Sequence, residues 1–210
     1  MNKKEHWEKV FATKPSAEVS WYQPKPKESL DFISQFELPK NAAIIDIGGG
    51  DSFLVDNLLE LGYTDITVLD ISAAAVKKAK ERLGEKAILV KWIVADILRF
   101  VSEKKYDCWH DRAAFHFLTT ADEVEKYLES AGQHIKGSGK LVIGTFSTNG
   151  PEKCSGLPVK QYDESMLTGS LQKWFEKIRC ITVDHVTPFQ TIQNFLFCSF
   201  QKQSYQYGHS

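Results

Sequence analysis

Residues 42–52 read A-A-I-I-D-I-G-G-G-D-S, and the next apolar run, T-V-L-D, closes on Asp70. A β-branched run enters a glycine turn, a helical pattern follows, and a second strand ends on an acid. That arrangement can hold a nucleoside with its ribose on a carboxylate. Gly48, Gly49 and Gly50 lack a Cβ, so backbone can approach a ligand closely and take positive φ where the turn needs it. The dinucleotide fingerprint G-x-G-x-x-G requires a third glycine at position 53, where Phe53 stands. Asp46, ahead of the turn, would repel a pyrophosphate but suits the ammonium group of an amino-acid moiety. The turn therefore disfavours a nicotinamide dinucleotide and an NAD-dependent reductase.

The pattern extends outward from this turn. Ser52 through Leu61 places Leu54, Leu58 and Leu61 on one helical face, with Asp51 or Ser52 as N-cap and Gly62 past the end. Ile66 to Asp70 reads as a strand, and Ser72 can cap the helix A-A-A-V-K-K-A-K-E-R-L that stops at Gly84. Ile88 to Val94 is a third strand, running into Ala95, Asp96 and Ile97, and Tyr106 to His110 is a fourth. Val124, Tyr127, Leu128 and Ala131 share a face between Asp122 and His134, G-S-G at 137–139 ends that helix, and Lys140 to Phe146 is a fifth strand. Strands separated by helical patterns predict a parallel sheet covered on both faces. Phe175 to Val186 and Thr191 to Phe200 are strand-like with only T-P-F-Q between them. So short a connection cannot cross over, so this last pair must be antiparallel.

A chain of 210 residues is most simply one domain. We expect an N-terminal helical cover segment over 1–42, the α/β domain over 43–201 and a polar tail over 202–210. The formal net charge of −1 gives no electrostatic reason to expect nucleic acid or an anionic membrane as partner. The N-terminus has no apolar core of a secretory signal, and no run approaches the ~20 apolar residues of a membrane span. Cys108, Cys154, Cys180 and Cys198 form no C-x-x-C pair. They are expected as free thiols, three of them small hydrophobes within apolar runs, in a reducing cytoplasm and without a metal. The 147–162 stretch is longer than packing requires, as binding loops often are.

Several residues are placed to carry chemistry. Asp70 suits the ribose, with Ile71 beside it. Asp96 ends the third strand, where a carboxylate reads as a cap for the turn that follows. The fourth strand ends in W-H-D-R-A-A-F-H-F-L at 109–118. His, Asp and Arg crowded at one strand end are costly unless they pair or face a wet cleft. His110 or His116 can serve as base or substrate anchor, with Asp111 nearby and Arg112 orienting an acid. The alternative is an Asp111–Arg112 pair supporting the loop and a packed His116. Trp7, Trp21 and Tyr22 can lie over the pocket as a cover, or only pin the N-terminal segment to the domain. Cys154 reads as a neutral loop residue.

Taken together, D-I-G-G-G, T-V-L-D-I-S, V-A-D-I and Y-D-C-W-H-D-R resemble the motifs of class I S-adenosylmethionine-dependent methyltransferases of the type 11/12 group, over residues of about 42–201. The N-terminal H-W-E-K-V-F-A-T-K-P-S-A-E-V-S-W-Y-Q is similar in layout to the cover of thiopurine-type methyltransferases, with Phe11 where a second tryptophan is expected. The resemblance implies a Rossmann-like, seven-stranded, mostly parallel sheet of order 3-2-1-4-5-7-6 with a C-terminal antiparallel hairpin. It implies S-adenosyl-L-methionine bound by Trp7, Trp21, Asp46, Gly48, Gly49, Gly50, Ser52, Asp70, Ile71, Asp96, Ile97 and His110. It further implies in-line transfer to a small-molecule acceptor, assisted by His110, Asp111, Arg112 or His116. The chain departs from amino-methylating relatives in carrying H-D-R-A where N-P-P-Y/F is typical. A protein lysine or amine methyltransferase is the nearest alternative, and a non-catalytic cofactor-binding module a further one. A closed aromatic pocket favours a small acceptor, and a flat acidic mouth a protein.

Overall fold

The computed structural model describes residues 2–203. Seven strands form one sheet: β1 (Ala43–Ile47), β2 (Asp65–Asp70), β3 (Val90–Val94), β4 (Tyr106–Arg112), β5 (Ile135–Phe146), β6 (Phe175–Val186) and β7 (Ile192–Lys202). Their order is β3-β2-β1-β4-β5-β7-β6, as expected. The first five run parallel and β7 pairs antiparallel with both β5 and β6. Six helices accompany them: α1 (Lys3–Thr13), α2 (Lys27–Ser34), α3 (Leu54–Glu60), α4 (Ala73–Leu83), α5 (Ala121–His134) and α6 (Glu164–Leu171).

The central strands are apolar almost without interruption because both faces are covered. Ile45, Ile47, Trp109, Leu141 and Ile143 pack against Val124, Tyr127 and Leu128 of α5 and Leu167 and Leu171 of α6. On the opposite face Ile44, Ile66, Val68 and Cys108 meet Leu30 and Ile33 of α2 and Leu54, Val55 and Leu58 of α3. The pleat alternates side chains between the two layers. It therefore sends Asp46 and His110, opposite one another in register, to the α2 side.

Local differences from the sequence reading have identifiable causes. α3 begins at Leu54 because Asp51 is drawn into an ion pair with Arg82 (2.5 Å), while the Ser52 hydroxyl accepts from the Leu54 amide (3.1 Å). Ser72 does cap α4, accepting from the Ala75 amide (3.1 Å). The G-S-G at 137–139 lies inside β5, which starts directly after α5. Gly139 is required there for close strand approach: a Cβ would stand 3.1 Å from the Tyr106 carbonyl oxygen. Helices α2 and α6 carry no signal recognised in the sequence. Lys202, expected in the tail, closes β7 and donates to the Ile135 carbonyl (2.7 Å); the expected tail beyond 203 lies outside the described residues.

The expectation of four free thiols does not hold. The β6–β7 register sets Cys180 directly opposite Cys198, and the two form a disulfide, leaving Cys108 and Cys154 as buried thiols. A hairpin register that places two cysteines face to face is invisible in their sequence spacing of 18. Among the described residues no helix is long and apolar enough to cross a membrane.

Candidate active site

At the carboxyl ends of β1, β2, β3 and β4 lies a cleft with a largely apolar lining and a few polar groups, the kind of lining that suits a small-molecule ligand. Its floor includes Ile47, Gly48, Leu69, Asp70 and Ile71. One end is closed by Asp96, Ile97, Leu98 and Leu118, the other by Arg112, Ala113 and Cys154, and Trp7, Phe11, Trp21 and Phe117 roof it. Ligands of open α/β sheets bind at this carboxyl edge, where strand order reverses.

The glycine turn is shaped by contact. Gly48 has φ 66°, and a Cβ there would come within 2.7 Å of the Ala114 Cβ. A Cβ on Gly50 would meet Asp70 Oδ2 at 2.5 Å. Instead, the Gly50 amide donates to that oxygen (3.0 Å) and the Ser72 amide donates to Oδ1 (2.7 Å). These bonds orient a buried carboxylate. Burial raises the Asp70 pKa to about 7, against the lowering effect of the two amides, with Asp46 and Glu8 adding repulsion. Asp96 accepts from the Leu98 amide (3.0 Å), capping a short 3₁₀ turn, and also lines the cleft. The two sequence readings of Asp96 are thus compatible.

Strand β4 divides its residues. Arg112 lines the cleft and a smaller recess formed with Trp21, Tyr22, Asp51, Ser52 and Phe53. Its Nη1 donates to the Trp21 carbonyl (3.0 Å), while Nε and Nη2 are buried and unpaired. Burial pulls its pKa down to about 10. Asp111 does not pair with Arg112. It accepts from the amides of Ala114 (3.0 Å) and Phe115 (2.9 Å) and from the Tyr127 hydroxyl (2.8 Å), holding the turn that follows β4. Burial lifts its pKa to about 6.

Neither imidazole lines the cleft. His110 lies beneath the turn with both ring nitrogens engaged, Nδ1 to Asp46 Oδ1 (2.7 Å) and Nε2 to Ser29 Oγ (2.8 Å). His116 is buried between Phe117 and Phe146, accepts from the Phe146 amide through Nδ1 (3.3 Å), and is kept neutral by burial, its pKa falling to about 3. Gly49, Gly50 and Asp46 shape the floor from below. Of the residues proposed from sequence, Trp7, Trp21, Gly48, Asp70, Ile71, Asp96, Ile97 and Arg112 come together around the cleft, and Ser52 lines the recess. Phe11, Phe117 and Cys154 also line the cleft. They had no signal beyond ordinary apolar residues, and burial raises the Cys154 pKa to about 11.

The N-terminal segment is tied over the cleft at two points. Glu8 of α1 accepts from the Ala73 (2.7 Å) and Ala74 (3.0 Å) amides and the Ser72 hydroxyl (3.1 Å), at the start of α4. Burial opposes its ionisation, but these bonds prevail and hold its pKa below the ordinary value. Lys3 pairs with Glu123 (2.5 Å) and donates to the Phe117 carbonyl (2.9 Å). Between these ties, Trp7 stacks edge-on with Trp21 (5.7 Å) and Phe117 (5.1 Å). Glu8→Ala is expected to cost about 1 kcal/mol, the value of a lost helix cap. Chemical denaturation at pH 7 and pH 3.5 checks this: the difference from wild type should shrink at low pH, because a depressed carboxylate contributes only while ionised.

Residues 44–139 match a family model described as a methyltransferase domain. Those residues carry a methyltransferase domain, and the fold is that of class I S-adenosylmethionine-dependent methyltransferases. It is similar to an eEF1A lysine and N-terminal methyltransferase of Mus musculus, 24% identical over 145 residues, 66% of this chain and 20% of that protein. It is also similar to a malonyl-[acyl-carrier protein] O-methyltransferase of Ilyobacter polytropus, 32% identical over 108 residues, 51% of this chain and 39% of that one. The chain thus spans about a fifth to two fifths of the length of these relatives. In structure it resembles a 1,6-didemethyltoxoflavin-N1-methyltransferase from Burkholderia thailandensis with bound S-adenosylhomocysteine, TM-score 0.68 and 17% identity, over 95% of this chain and 84% of that one. At that identity the likeness speaks for the fold.

Proposed function

We propose that this domain transfers a methyl group from S-adenosylmethionine to a small-molecule acceptor held at the aromatic end of the cleft. The carrying observation is the roof: the Trp7 ring lies 5.1–5.8 Å, centroid to centroid, from Phe11, Trp21 and Phe117, Phe11 lies 6.0 Å from Trp21, and all four line the cleft. Such an enclosure excludes water and favours a cationic sulfonium near π faces. It fits a compact acceptor better than an extended protein surface.

The residues present fit the cofactor. Asp70 is oriented to accept from a ribose diol, Asp96 and Ile97 suit an adenine, and the glycine turn leaves room for backbone approach. Two unsatisfied groups at the opposite end match the charges of an amino acid: the buried Asp46 Oδ2 for an ammonium, and the Nε–Nη2 edge of Arg112 for a carboxylate. When bound, the cofactor supplies a methyl group already activated by its neutral thioether leaving group. What the chain must do is bind, orient the acceptor in line and keep the space dry. No histidine is required for that, and His110 and His116 are given none of the reaction.

A protein acceptor is the second reading, supported by the likeness to the eEF1A methyltransferase. Incubation of the purified protein with methyl-labelled S-adenosylmethionine and cell extract decides between them. Label is expected in the low-molecular-weight fraction; label confined to protein would favour the second reading, and none anywhere a binding module.

A further inference from the structure

Asp46, His110 and Ser29 form a continuous buried chain of hydrogen bonds beneath the glycine turn. Their side chains come from β1, β4 and α2, and each residue is at most 2% exposed. The β1–β4 register sets Asp46 beside His110, and the pleat turns both toward α2, which supplies Ser29. An ionised carboxylate only accepts, so His110 Nδ1 donates to Asp46 Oδ1; with a neutral ring, Nε2 then accepts from the Ser29 hydroxyl. The hydroxyl, the imidazole and one carboxylate oxygen satisfy each other completely. Asp46 Oδ2 is left over, buried and unpaired. It lies against the glycine turn, where a Cβ on Gly49 would stand 2.3 Å away.

We infer that Ser29 and His110 are positioning residues that hold the Asp46 carboxylate, with one oxygen open, beneath the turn for the ammonium group of the cofactor's amino-acid end. This rests on the cofactor reading above and adds to it a reason for three polar residues in an apolar layer. A buried carboxylate with a free oxygen is costly unless a cation completes it. Tying the other oxygen to a ring that is itself tied to α2 stops the carboxylate from rotating away. The arrangement resembles a Ser-His-Asp triad in connectivity only: the Ser29 hydroxyl is fully buried and has no path to a substrate.

The test compares three probes by calorimetry: S-adenosylhomocysteine, its decarboxylated analogue, which keeps the amine, and 5′-methylthioadenosine, which lacks the whole amino-acid end. His110→Leu is expected to weaken the first two about tenfold or more and to leave methylthioadenosine within about twofold. His110→Asn, whose amide can still donate to Asp46, should recover most of the loss, and Ser29→Ala should show a smaller loss of the same selectivity. Equal weakening of all three probes, or no change in any, would overturn the inference; if His110→Leu does not fold, Ser29→Ala carries the same comparison. Wild-type protein that binds none of the probes removes the cofactor reading and this inference with it. Wild-type binding of all three, with no selectivity in the variants, removes the positioning role alone.

Discussion

Replacing Asp70 by alanine is expected to abolish measurable binding of S-adenosylhomocysteine while leaving the protein folded. The carboxylate is the buried acceptor at the end of β2, pre-oriented by the Gly50 and Ser72 amides. Hydrogen bonds to an ionised acceptor contribute roughly 1.5–3 kcal/mol each, so loss of two ribose donors costs about a hundredfold or more. Calorimetry reads the affinity and circular dichroism the fold. Unchanged affinity would show that the ribose does not lie on Asp70.

The same residue sets a pH dependence. With its pKa near 7, the carboxyl of the ligand-free protein is largely protonated at pH 6, and the acid must ionise to accept from both hydroxyls. Affinity should therefore rise with pH up to about 7 and then level off, by at most about tenfold per unit. The stability of the ligand-free protein should move the other way. Its folded-state pKa lies above the ordinary carboxylate value, so the folded form holds the extra proton between about pH 4 and 7. Stability contributed by this group is full below that window and declines as pH rises through it, by at most about 1.4 kcal/mol per unit. Melting curves with and without S-adenosylhomocysteine across pH 5–8 should diverge, the ligand-induced gain growing toward neutral pH. The Asp70→Asn variant should lose that growth.

Arg112→Met is expected to produce the second large loss, confined to ligands that carry a carboxylate. In the protein Nη1 is occupied by the Trp21 carbonyl, and the remaining edge, Nε with Nη2, presents two parallel donors to one anion. Truncating one partner of a buried charge pair costs about 2–5 kcal/mol, so binding of S-adenosylhomocysteine should fall at least thirtyfold. Its decarboxylated analogue should bind wild type and variant alike, which separates this role from that of Asp46. Arg112→Lys should not restore the loss, because a point charge on a flexible stem cannot present the planar edge. Equal weakening of both ligands would mean that Arg112 serves the roof, through Trp21 and its contact over Phe195 (5.2 Å), rather than a carboxylate.

The sheet was legible because its signals are local. Apolar runs of strand length, a glycine turn, Ser72 as a cap and a four-residue hairpin connection each report on backbone within a few residues, and together they predict a parallel sheet ending in an antiparallel hairpin and mark its cofactor edge, whereas the strand order followed only from the family resemblance. The positions of Gly48, Asp70 and Asp96 follow from those same strand ends. What only the tertiary structure decided is the fate of W-H-D-R at 109–112. Adjacent residues of a strand point to opposite layers, and what waits in each layer comes from distant sequence. His110 meets Asp46 and Ser29, Asp111 meets Tyr127, and Arg112 at the strand's end reaches the cleft and Trp21. The Cys180–Cys198 disulfide and the aromatic roof depend likewise on register and on packing across the chain. Local patterning selects the fold, whereas the partner of each buried polar group is a property of the assembled layers.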